Sequence, residues 1–147
     1  MQSEGMGTED GIADDDWGKV TELAIKIANV SAKNKDTTLL DHRMLKYLGK
    51  LANKYGRLPS IVSTMADYTE ELSQSLALQK EAYVSACEMS CEYEMVNISE
   101  SIAEIYINQK KDFKLGKYWL SILKANLKAK PDEDLKKKYM ELMKVTS

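Results

Sequence analysis

The chain has 147 residues, 44% hydrophobic and 30% charged, as expected of one globular domain large enough to bury a core. No apolar run approaches the roughly 18 residues that a membrane span requires. The acidic N-terminus also lacks the basic-then-apolar pattern of a secretion signal, so a cytoplasmic protein without a membrane partner is expected.

With 2 prolines, 7 glycines and an abundance of Lys, Glu, Leu, Ala and Met, local preferences favour helix almost throughout and predict an all-α fold. The formal net charge of −2 conceals strong segregation. Residues 60–108 carry nine acids against one base, Lys80, while residues 109–147 carry eleven lysines against five acids.

Residues 1–16 combine Gly, Asp, Glu, Ser and Thr with little apolar content and are expected to be a disordered acidic segment, leaving a single helical-repeat domain over 17–147. From Trp17 onward, Val20, Leu23, Ala24, Ile27 and Ala28 follow the spacing of one buried helical face. After the polar link SAKNKDTT, a second helix carries Leu40, Met44, Tyr47, Leu48, Leu51 and Tyr55. Gly56 ends it, and Pro59 suits the first position of a third. That third helix, PSIVSTMADYTEEL, carries Ile61, Met65, Tyr68 and Leu72. A fourth runs through Leu76, Ala82, Tyr83 and Ala86 to about Ser90, and a fifth from about Met95 to Gln109 through Ile98, Ile102, Ile105 and Tyr106. Asp112 caps a sixth helix bearing Leu115, Trp119, Leu120, Ile122, Leu123 and Leu127; a seventh follows Pro131 with Leu135, Tyr139, Leu142 and Met143.

Seven short helices on short links predict an array of antiparallel helices, because each is too brief to be stable without its neighbours. A shift of 37 residues superposes Met65 on Ile102, Ala66 on Ala103, Leu76 on Phe113, Leu78 on Leu115, Tyr83 on Leu120 and Ala86 on Leu123. Segments 61–90 and 98–127 thus read as two copies of one helical hairpin, with MADY and IAEIY at matching places. Over about residues 40–130 the chain resembles the tetratricopeptide repeat family. The resemblance implies a superhelix of stacked hairpins with Ala66 and Ala103 at the helix crossings, and a role in binding other proteins. The shift of 37 differs from the family's usual 34, so no ligand-clamp residue is carried over.

The residues offer little for catalysis. His42 is the sole histidine, and Asp41 beside it points about 100° away on a helix, so a general-base pair is not formed. Cys87 and Cys91, i and i+4 on the expected fourth helix, supply two thiolates where a structural zinc site needs four ligands. No glycine-rich phosphate loop is present. Neither a metal nor a cofactor is expected, and the chain is read as non-enzymatic.

What remains is electrostatic recognition. Asp67, Glu70, Glu71, Glu81, Glu88, Glu92, Glu100 and Glu104 are the candidate partner-binding residues. Glu81, Glu88 and Glu92 form one strip on the fourth helix, and Glu100 and Glu104 another on the fifth. Such a face suits a basic protein partner, and the sharper reading is a bacterial or phage immunity protein that covers a basic toxin. The alternatives are a nucleic-acid accessory protein using its lysine-rich ends, residues 19–59 and 109–147, the second of which lacks the arginines that read bases, and a scaffold or adaptor subunit.

Overall fold

The computed structural model describes residues 7–147. It is all-α: α1 (Asp14–Ala32), α2 (Thr38–Tyr55), α3 (Pro59–Asp67), α4 (Leu72–Glu88), α5 (Glu92–Glu104), α6 (Phe113–Ala129) and α7 (Glu133–Thr146), with a π-helical turn, Ile105–Gln109, continuing α5. No helix among the described residues is long and apolar enough to cross a membrane.

Each helix packs on the next in sequence, and α5 also touches α3 and α7. The core accordingly forms three clusters in chain order. Val20, Ile27, Met44, Leu48, Leu51 and Ile61 join α1 to α3; Val62, Leu76, Ala82, Ala86, Ile98, Ile102, Ile105 and Tyr106 fill the middle; Val96, Ala103, Ile107, Leu120, Leu123, Leu135 and Leu142 close the C-terminal end. Helix α5 is apolar on two sides, with Ile98 and Ile102 in the middle cluster and Val96 and Ala103 in the C-terminal one. A helix that buries two sides lies between neighbours, not at an edge.

Most boundaries have local causes. Pro59 stands at the start of α3, and Gly56, at φ +89°, ends α2 in a conformation that favours glycine. The carboxylates of Asp112 and Asp132 accept the Leu115 and Leu135 amides at the starts of α6 and α7. Helix α3 stops at Asp67, earlier than the expected run to Leu72, because Glu71 caps a new helix by accepting the Gln74 amide.

The acidic N-terminal segment departs from its expectation of disorder over residues 1–16. Residues 1–6 lie outside the described residues, but residues 7–13 form a packed turn, and α1 begins at Asp14, before Trp17. Ile12 is only 2% exposed and belongs to the first core cluster. The buried Asp10 carboxylate accepts the Ser60 amide at 2.7 Å and the Ser60 hydroxyl at 2.8 Å, at the N-terminus of α3. Glu9 accepts the Tyr93 and Glu94 amides at the N-terminus of α5. Neither helix has a local side-chain cap, since Leu58 and Cys91 occupy those positions. Two consecutive acids therefore cap two distant helices, where unpaired N–H groups and the helix dipole favour negative charge.

The expected 37-residue hairpin repeat is met at one helix boundary and missed at another. Helices α4 and α6 each contain 17 residues, but they begin 41 residues apart, not 37. The ends of α3 and α5, at Asp67 and Glu104, do keep the 37-residue shift. The π-helical turn and its exit occupy the extra length, closed by hydrogen bonds from Lys110 N to Ile105 O and from Asp112 N to Tyr106 O. Helix α3 has 9 residues against 13 in α5 before the π turn, so the hairpins are unequal.

In the 41-residue register both hairpins place a small residue at the same crossing. Ser75 donates to the Ala66 carbonyl, and Gly116 packs against Ile107, whose Cγ1 a Cβ at Gly116 would overlap. Gly116→Ala should therefore lower stability by about 1–2 kcal/mol in a denaturant melt, although alanine in an open helix would raise it by about 1. A gain in midpoint would show that Ile107 yields readily.

Candidate functional site: an acidic cleft between α3, α4 and α5

The acids named from the sequence do not form two solvent-facing strips. Ser90, at φ +55°, breaks the chain between α4 and α5, and the Cys91 amide bonds back to the Ala86 carbonyl. Glu92 consequently opens α5, so the expected strip of Glu81, Glu88 and Glu92 on one helix does not exist. Cys87 and Cys91 are separated by the same break; Cys87 is an exposed free thiol and Cys91 a buried one.

The individual carboxylates differ in environment. Glu81 is held by Arg57 through two hydrogen bonds of 2.7 and 2.8 Å, and this contact lowers its pKa. Glu71 is the α4 cap, and Glu88 and Glu92 are exposed on either side of the break. Glu100, expected on the surface, is only 5% exposed. Residues i and i+4 do share a side of α5, but for Glu100 that side is covered by α7, where Glu100, Glu104 and Lys138 line a common cavity.

The remaining acids converge. Asp67, Glu70 and Glu104 line a cavity of about 240 Å³ between the α3–α4 link and the junction of α5 with its π turn. Asp67 keeps one flank in solvent, yet desolvation pushes its carboxyl up to about 6, against the stabilising hydrogen bond from Gln79 Nε2 at 3.3 Å. Burial pushes Glu100 up to about 7; repulsion from Glu104 and Asp67 adds to the shift and Lys138 opposes it. Burial also raises Glu94 to about 7, with further repulsion from Asp10, Glu9 and Asp67. Of the eight candidate acids, only Glu81 has an ion-pair partner among the described residues. Uncompensated carboxylates in low dielectric take up protons in this way.

Sequence reasoning did not single out Glu94, Asp10, Glu9 or Gln79. A signal for Asp10 and Glu9 was present: Leu58 and Cys91 stand where a capping side chain belongs, so the caps of α3 and α5 had to come from elsewhere. Gln79, a polar residue by type, is 3% exposed, and nothing in the sequence marked it for burial.

His42 is exposed on α2. No group of three or more His, Cys, Asp or Glu side chains among the described residues is arranged to hold a metal ion. Trp119, on α6, is half-buried and meets Tyr83 of α4 edge-on at 5.3 Å between ring centroids. It thus ties the two hairpins together, in contact with both the middle and C-terminal clusters. Most lysines of α6 and α7 point to solvent, including Lys114, Lys117, Lys136 and Lys137. Compared with models of known protein families, with characterised proteins and with solved structures, the chain finds no match.

Proposed function

We propose that the protein is a non-enzymatic interaction module, built from helical hairpins in the manner of tetratricopeptide-like proteins, which engages a basic protein partner through the acidic side of α3, α4 and α5. The observation that carries this reading is the concentration there of carboxylates left without cationic partners. Holding such groups together opposes folding at neutral pH, and an incoming cation would relieve their repulsion. The sharper form is an immunity protein that neutralises a basic toxin by covering its positively charged working surface. Such a partner would be steered by the exposed Glu70, Glu88, Glu92 and Glu104, and would associate more slowly as salt screens them.

The test uses the purified product of an adjacent reading frame encoding a basic protein. Association rates are measured at low and high salt for the natural chain and for a Glu88→Lys/Glu92→Lys variant. Both positions are exposed, so the melting temperature should stay nearly unchanged. The association rate should fall by about tenfold or more and lose much of its salt dependence. Co-expression should suppress the partner's toxicity in the natural protein and do so less well in the variant. Equal rates for the two proteins, or absence of binding, would overturn the reading. Salt-sensitive binding of oligonucleotides with no binding of the basic protein would point instead to the lysine-rich ends.

A further inference from the structure

We propose that the cavity between the α3–α4 link and the π-helical end of α5 is a receptor for a guanidinium group, that of an arginine side chain presented by the basic partner. The inference rests on the proposed function, since it names the part of the acidic side that receives the partner.

The cavity walls are rich in acceptors. Asp67, Glu70 and Glu104 contribute carboxylates, and no lysine or arginine is among the lining residues. An acidic lining alone would attract any cation, but Gln79 narrows the chemistry. Its side chain also lines the cavity; Nε2 is committed to Asp67, while Oε1 is buried with no hydrogen-bond partner among the described residues. A buried acceptor left unpaired is unfavourable and uncommon, and here it belongs to a side chain in the cavity wall.

The geometry favours an organic cation with several N–H donors over a metal ion, for which no suitable ligand group is formed among the described residues. A guanidinium has five donors in a rigid plane, enough to serve several carboxylates and an amide oxygen at once. Its weakly hydrated faces also tolerate apolar neighbours such as Ile105 better than an ammonium does. The volume of about 240 Å³ is smaller than the ~300–1,000 Å³ of pockets that enclose drug-sized ligands, and suits the head of one side chain. Ile105 and Gln109, at the two ends of the π turn, both line the cavity. The irregular turn that breaks the hairpin repeat therefore shapes this site, and such turns recur at functional positions.

The test is a titration of the isotope-labelled full-length chain with N-acetyl-argininamide, followed by NMR at the Gln79 side-chain amide and the backbone amides of Ser101 and Gln109. N-acetyl-lysinamide serves as the competing cation, and Asp67→Asn/Glu104→Gln as an isosteric variant whose melting temperature is checked first. If the double variant unfolds, Glu104→Gln alone, at an exposed position, replaces it. Saturable shifts with the arginine probe are expected, at least tenfold weaker binding of the lysine probe, and at least tenfold loss in the variant. No saturation at Gln79, equal binding of the two probes, or unchanged binding by the variant would overturn the proposal. Because this titration contains no partner, its failure stands apart from failure of the partner-binding reading. Arginine-probe binding together with tenfold weaker partner binding by the same variant would assign the cavity to the partner's arginine. Probe binding with unaffected partner affinity would assign it to a free guanidinium compound and overturn the partner assignment.

Discussion

Replacing Asp10 and Ile12 together with alanine should lower the unfolding free energy by about 4–6 kcal/mol. Ile12 is 2% exposed within the cluster that joins α1, α2 and α3, and truncating such a side chain typically costs ~2–5 kcal/mol through lost transfer energy and the cavity left behind. Asp10 adds a separate mechanism. Its carboxylate accepts both the amide and the hydroxyl of Ser60, so its removal strands two donors at a helix start with no cap of its own. Losing a charge-assisted cap of this kind costs about 1.5–3 kcal/mol. The check is a denaturant titration with hydrogen exchange at the first turn of α3, where protection should fall most. A loss below about 1 kcal/mol would show that the N-terminal turn lies on the fold without supporting it.

Glu100→Gln should stabilise the protein at pH 8 and leave it nearly unchanged at pH 5. The native carboxyl titrates near 7, well above its ordinary value of 4.5. Between those values the folded state holds more protons than the unfolded chain, so stability falls as pH rises through the window and is lowest above it. For this group, 5% exposed, the effect is on the order of 3 kcal/mol across the window. Glu94, raised to about 7, and Asp67, raised to about 6, act in the same sense, with solvent screening reducing the share of the more exposed Asp67. Asp16, Asp36 and Glu81 act oppositely. Hydrogen bonds lower their pKa values, so their support is present above the ordinary carboxylate range and is lost as pH falls through it. Together these shifts should move the stability maximum to the acid side of neutrality. Melting curves from pH 4 to 8.5 should converge for the two proteins at acid pH and separate above pH 6; parallel curves would contradict the burial of an uncompensated Glu100.

Stability and cation binding are linked through these carboxylates. A cation bound among Asp67, Glu70 and Glu104 favours the ionised carboxylates and should recover part of the stability lost at neutral pH. If the proposed cation binds there, the filled acidic side is the more stable one, as expected where a binding role requires uncompensated charge.

Helical identity and most of the inward faces follow from residue spacing alone, although Leu115 and Met143 are exposed. Met44, Leu48 and Leu51 on α2, and Leu120 and Leu123 on α6, are buried as their spacing required, because amphipathic periodicity is set within a few turns. Gly56, Pro59 and Asp112 likewise act at the boundaries their side chains favour, since turn and cap chemistry is local. Tertiary structure decided the rest. The position of α5 between two layers, and hence the burial of Glu100, depends on α7 arriving from far along the chain. Glu9 and Asp10 resemble solvated acids until two uncapped helix ends are brought against them. The acidic segment between residues 60 and 108 was plain in the composition, yet its division into a paired Glu81, a capping Glu71, a buried Glu100 and a convergent group around Gln79 was not. Charge is a property of residue type, whereas desolvation and pairing depend on which distant atoms share its surroundings.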